Sequence, residues 1–187
     1  MQKREENSKS RAIFSVRNLT TMALMIALSI VLGKFLAINP TPMIRISLEN
    51  LPIILSAVML GPIGGGTVAL VADLLGSILR GYEINPIVTI GAVTIGALCG
   101  AIFKYTPIKG LIKRLILSVA AAHFFGSVVI KTSGLAVFYF TSYNMGFGTL
   151  FLIRLGTYVV TGAVEILIIT ILLKNKTTKG LLIGAKK

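Results

Sequence analysis

Between Leu19 and Leu173 the chain is a succession of apolar runs separated by short polar, glycine- or proline-bearing stretches. The first run, over about 19–38, has the twenty or so residues that an α-helix needs to cross a bilayer. Asn39-Pro-Thr-Pro then forbids a continuous helix, because proline removes an amide donor and crowds the preceding turn. Positions 43–48 alternate enough to predict an extended or re-entrant segment. A short second helix is expected over about 50–60, ended by a tight turn at Gly61-Pro62. A third begins at Gly64-Gly65-Gly66 and runs to about Arg80. After the loop Gly81-Tyr-Glu-Ile-Asn, Pro86 opens a fourth helix to about 103, in the first turn, where its missing donor is harmless. The fifth and sixth helices are expected over about 115–137 and 149–173, joined by an aromatic and polar loop, Phe138 to Gly148.

Of the 187 residues, 55% are hydrophobic and only 13% are charged, too few to cover a soluble domain. The fold class predicted is therefore an all-α integral membrane protein with six transmembrane helices. The formal charge of +13 would point to nucleic acid in a soluble protein. Here the cations cluster outside the apolar runs: at Lys3, Arg4, Lys9, Arg11 and Arg17, at Lys104, Lys109, Lys113 and Arg114, and at Lys174, Lys176, Lys179, Lys186 and Lys187. Six spans put all three clusters on one side, as cytoplasmic flanks require, with both termini cytoplasmic. The expected division is a polar N-terminal tail over 1–18, the membrane domain over 19–173 and a basic tail over 174–187. The basic flanks suit anionic lipid headgroups, and no nucleic-acid partner is expected. The first apolar run lacks a small-residue cleavage site after it and reads as a retained helix.

Ionisable residues inside such runs are costly and mark a task or a partner. Asp73 lies past the middle of the third helix, Lys131 near the outer end of the fifth, and Arg154 one to two turns into the sixth. Spacing by four residues puts Asp73 with Ser77, and Arg154 with Tyr158, on shared helix faces. With Arg45 and Ser47 in the first outer loop, Asn85 before the fourth helix and Tyr143 in the aromatic loop, these residues make one candidate pocket opening outward, the loop over 138–147 serving as its lid. Plainer readings exist: Asp73 as the ion partner of Arg154 or Lys131, His123 as a hydrogen-bonded packing residue, Glu165 as a local partner of Thr161. One histidine and one cysteine, Cys99, leave no metal set, disulfide or nucleophilic triad, and no phosphate-binding loop is present. No catalytic residue, metal or cofactor is expected. Ala23 and Ala27 form a small-xxx-small face on the first helix, suited to close helix contact in lipid.

The stretches NLPIIL (50–55), GPIGGG (61–66), ADLLGS (72–77) and NPIVTIG (85–91), with Ala23-xxx-Ala27, resemble the substrate-binding S components of energy-coupling factor (ECF) vitamin transporters. Arg45-Ile-Ser and Arg154 resemble the folate members most. The resemblance implies a six-helix membrane protein without ATPase activity. Such a protein captures a vitamin, folate first, from outside and docks through Ala23 and Ala27 on a transmembrane coupling subunit that carries two ATPases. A pterin ring would be met by Asp73 and aromatic residues, and a glutamate tail by Arg45, Lys131 or Arg154. The alternatives are an S component for riboflavin, pantothenate or a queuosine precursor and, more distantly, a membrane-embedded enzyme or a channel subunit.

Overall fold

The computed structural model describes residues 15–41, 44–81, 83–143 and 147–175, without the side chains at 34–35, 39–41, 44–45, 80 and 138–143. Most of both predicted tails lies outside the described residues. Among the described residues, five helices are long and apolar enough to cross a membrane, and the fold is helical apart from one short hairpin.

Helix α1 covers Val16–Phe35, with the Ser15 side chain accepting from the Asn18 amide as its N-cap. It ends before the predicted 38, because Ile38–Thr41 (β1) pairs antiparallel with Ile44–Ile46 (β2). The alternating segment is thus extended, as its pattern predicted. Helix α2 runs Asn50–Arg80, 31 residues in which Gly61 alone has non-helical backbone angles (φ 80, ψ −168). At Gly61 the helix doubles back. A Cβ added to Gly65 would stand 2.8 Å from the Ala57 Cα, eight residues earlier. Along an unbroken helix those residues would be about 12 Å apart. The predicted second and third helices are therefore the two limbs of α2, and the Gly61-Pro62 turn falls where expected.

Helix α3, Pro86–Tyr105, starts from Asn85, whose side-chain oxygen accepts from the amides of Ile87 and Val88. The next apolar run is longer than predicted. It comprises α4 (Leu111–Ala122), a nine-residue π-helical segment (His123–Lys131) and α5 (Thr132–Tyr143). Gly110, at φ 109, precedes α4 and lets it begin four residues early. Lys113 and Arg114 consequently belong to its first turn instead of a loop. Helix α6 covers Phe147–Lys174. The aromatic loop predicted over 138–148 is corrected: 138–143 continue the helix and Phe147 begins the next, which leaves no long lid.

α3 is clamped on two sides at backbone distance. Toward α2, a Cβ on Gly65 would lie 2.7 Å from the Gly96 carbonyl oxygen. Toward the π segment, one on Gly91 would lie 2.7 Å from the Gly126 carbonyl oxygen. Dispersion between such closely approached helices takes the place of a hydrophobic drive inside lipid. Ile54, Ile95, Leu115, Val119 and Ile169 fill the fully buried centre around these seams.

Candidate functional site

Two polar groupings emerge from these elements, with Lys131 as a third point at the same end of the bundle. In the first grouping, Thr89 Oγ1 of α3 donates to Asp73 Oδ2 of α2 at 2.8 Å. Asn85 belongs to the same turn, but its amide is engaged: besides capping α3 it donates to the Gly134 carbonyl oxygen of α5 at 3.1 Å. Ser77 follows Asp73 by one turn, and Ser47 lies just after β2, which packs on α6.

Lys131 closes the π segment and is 5% exposed. Its stem packs on Gly91, where an added Cβ would meet Lys131 Cγ. Thr89 faces α2 and Gly91 faces the π segment, so the first two turns of α3 stand between Asp73 and Lys131 at one depth. No hydrogen bond or ion pair holds the Lys131 ammonium among the described residues.

The second grouping runs along α6. Arg154 Nη2 donates to the Tyr158 hydroxyl at 3.0 Å, and the guanidinium lies 5.3 Å from the centre of that ring. Its Nε is buried without a partner. Tyr158 stacks on His123 of the π segment, ring centres 5.4 Å apart and planes 24° apart. His123 Nε2 makes a 2.6 Å hydrogen bond to Glu165 Oε2, and its Nδ1 one of 3.2 Å with Ser127 Oγ. Glu165 is fully buried, and its other oxygen, Oε1, has no partner. The expected local pairing of Glu165 with Thr161 is corrected: the Thr161 hydroxyl donates to the Thr157 carbonyl, and the carboxylate goes to His123.

Depth relates the groupings. The chain from α4 to α5 packs against α6 in the opposite direction, with His123 against Gly162. Lys131 follows His123 by eight residues and Arg154 precedes Gly162 by eight, so in this antiparallel pair both cations lie on the same side of that contact. Asp73 pairs with neither of them; among the described residues the buried carboxyl that meets a basic side chain is Glu165, on His123. An apolar cavity of about 370 Å³ lies between the π segment and α6, lined by residues that include Val119, Phe124, Leu155, Tyr158 and Val159. It contains neither Asp73, Lys131 nor Arg154. The side chains of Arg45 and Tyr143 lie outside the described ones. Ala23 and Ala27 are exposed on α1, of whose membrane-spanning part only 17% is buried.

Thr89, His123, Ser127 and Glu165 belong to these groupings without being candidates in the sequence. A periodic signal was available for Glu165: Arg154, Tyr158, Thr161 and Glu165 recur at intervals of four, three and four, which is one face of a helix. Thr89 carried no such signal.

A family profile described as "ECF transporter, substrate-specific component" matches residues 17–174. The folate transporter FolT of Clostridium novyi (strain NT) is 38% identical over 100 residues, which are 52% of this chain and 56% of that protein. The match thus spans a little over half the length of the curated relative. Among solved structures, that of FolT bound with folic acid is similar with a TM-score of 0.66 at 22% identity, covering 82% of this chain and 89% of the other. The S component of a bacterial ECF transporter gives a TM-score of 0.57 at 22% identity, covering 83% and 92%. Both likenesses concern the fold.

Proposed function

The chain belongs to the substrate-specific components of ECF transporters, and from that premise we propose that it captures folate and delivers it to a transmembrane coupling subunit driven by two ATPases. The observation that carries the ligand assignment is the set Asp73, Lys131 and Arg154. These three charged side chains lie toward one end of an apolar bundle and form no ion pair with one another. Two cations that meet no anion among the described residues inside a bilayer call for an anionic ligand. A single carboxylate beside them suits a head group rich in N–H donors. Folate offers both, a pterin that donates to a carboxylate and a glutamate tail with two carboxylates. In this reading Asp73, held by Thr89, accepts from the pterin. Arg154 and Lys131 take the tail, the guanidinium in bidentate fashion. Arg45, Ser47, Ser77, Tyr143 and Tyr158 complete the lining, and Asn85 shapes it from behind. The folate-transporting relative supports this choice of vitamin.

Counting the two limbs of α2 separately gives six spans with both termini cytoplasmic, the site then opening outward. The exposed Ala23–Ala27 face of α1 is the docking surface for the coupling subunit. The chain itself catalyses no reaction; it binds and hands over.

Titration of the purified protein with folate tests the reading. Folate binds, riboflavin and pantothenate do not, and Arg154→Ala binds folate at least tenfold more weakly. Copurification with a different vitamin, or an Arg154→Ala variant that binds folate as the wild type does, overturns it.

A further inference from the structure

We infer that the buried Glu165–His123 pair is a positioning device for Arg154, acting through Tyr158; this deepens the proposed reading and rests on it. Both ring nitrogens of His123 are held, Nε2 by Glu165 at 2.6 Å and Nδ1 by Ser127 at 3.2 Å. An imidazole anchored at both ends cannot flip, so it presents a fixed plane. Tyr158 lies nearly parallel to that plane, and its hydroxyl receives the Arg154 Nη2 hydrogen bond. Three contacts therefore run without a gap from a fully buried carboxylate, through His123 and Tyr158, to the Arg154 guanidinium.

The arrangement is poor as a plain structural element. Burying a carboxyl group against an imidazole seldom adds net stability, and this contact leaves Glu165 Oε1 without a partner. Apolar side chains of similar volume would pack the same seam. The backbone is unusual here as well, since His123 begins a nine-residue π-helical segment, and wide turns of that kind concentrate at functional sites. Both ends of the segment face inward, His123 onto α6 and Lys131 onto α3. Gly162 admits the imidazole, because a Cβ there would stand 3.3 Å from His123 Cδ2. An arginine otherwise free about its torsions is thereby held ready for a carboxylate.

The test compares folate with pteroate, which keeps the pterin and benzoyl rings but lacks the glutamate. Dissociation constants are measured by calorimetry on the purified full chain. Glu165→Gln loses at least tenfold in affinity for folate and less than twofold for pteroate. The paired variant His123→Leu/Glu165→Leu behaves the same way; it leaves no buried charge and supplies the measurement if Glu165→Gln does not fold. Equal losses for both ligands mean that the pair is only structural, and unchanged folate affinity means that it is idle; either result overturns the inference. Arg154→Ala separates the two levels of argument. If it binds folate normally, the proposed site fails. If it loses folate while Glu165→Gln does not, only the positioning role fails.

Discussion

Thr89 Oγ1 donates to Asp73 Oδ2 across the seam between α2 and α3, and no cation among the described residues neutralises that carboxylate. The hydroxyl holds one oxygen, and among the described residues nothing holds the other. Asp73→Asn keeps the shape but places an amide where a pterin donor would arrive. Losing a hydrogen bond to a charged group costs about 1.5–3 kcal/mol, roughly ten- to a hundredfold in Kd. The loss should be similar for folate and pteroate, because both carry the pterin. Thr89→Val should cost less than tenfold, since the carboxylate remains. Calorimetry on monodisperse protein decides, and wild-type affinity in Asp73→Asn would remove Asp73 from the site.

Gly65 and Gly66 are neighbours with opposite demands. A methyl on Gly65 would meet the Ala57 Cα at 2.8 Å and the Gly96 carbonyl oxygen at 2.7 Å, backbone atoms that cannot swing away. A methyl on Gly66 would find its nearest neighbour, the Ala97 Cβ, at 3.6 Å, ordinary contact. Gly65→Ala should therefore destabilise by about 1–3 kcal/mol through overpacking. Gly66→Ala should be neutral or slightly stabilising, because alanine is the better helix former. Thermal unfolding in detergent reads the difference, and equal melting temperatures for the two variants would contradict the packing described.

The parts of this fold that proline and glycine govern were legible in the sequence. Pro86 and Gly61-Pro62 mark a helix start and a reversal by backbone chemistry alone, and both fell where expected. The π-helical segment was not legible, because His123–Lys131 has no residue that forbids ordinary winding; its geometry is set by contacts with α3 and α6. The aromatic run after 137 has the composition of a loop because Tyr, Thr, Ser and Asn accumulate there, yet helix formation continues to Tyr143. Inside a bilayer an intact helical hydrogen-bond ladder outweighs such local preferences. Asp73 and Arg154 stood out by charge alone. Thr89 could not, since a threonine in an apolar helix usually bonds its own backbone, as Thr94 does to Ile90 here.

Sidedness is testable without a ligand. Positions 142 and 177 flank α6 and lie on opposite faces if α6 spans the bilayer; with a cytoplasmic N-terminus, the doubling back of α2 puts 142 outside. In a Cys99→Ala background, a cysteine at Ser142 should react with an impermeant maleimide added to intact cells. One at Thr177 should react only after permeabilisation. Labelling of both from the same side would reduce the spans to an odd number and put one basic flank outside, against the distribution of cations.

Capture and delivery should be separable on α1. Ala23 and Ala27 are exposed one turn apart, and among the described residues neither contributes to the Asp73 or Arg154 grouping. A small-xxx-small face permits a partner helix to approach to backbone distance, and a bulky side chain at either position holds the partner away. Ala23→Leu/Ala27→Leu should leave the Kd for folate within twofold of the wild type, because no contact of the binding residues changes. Uptake of labelled folate by cells that also express the coupling subunit and ATPases should fall at least tenfold. Leucine is an excellent helix former and apolar, so insertion and folding are preserved. Normal uptake by this variant would move the docking surface off α1, whereas lost folate binding would show that α1 contributes to the pocket.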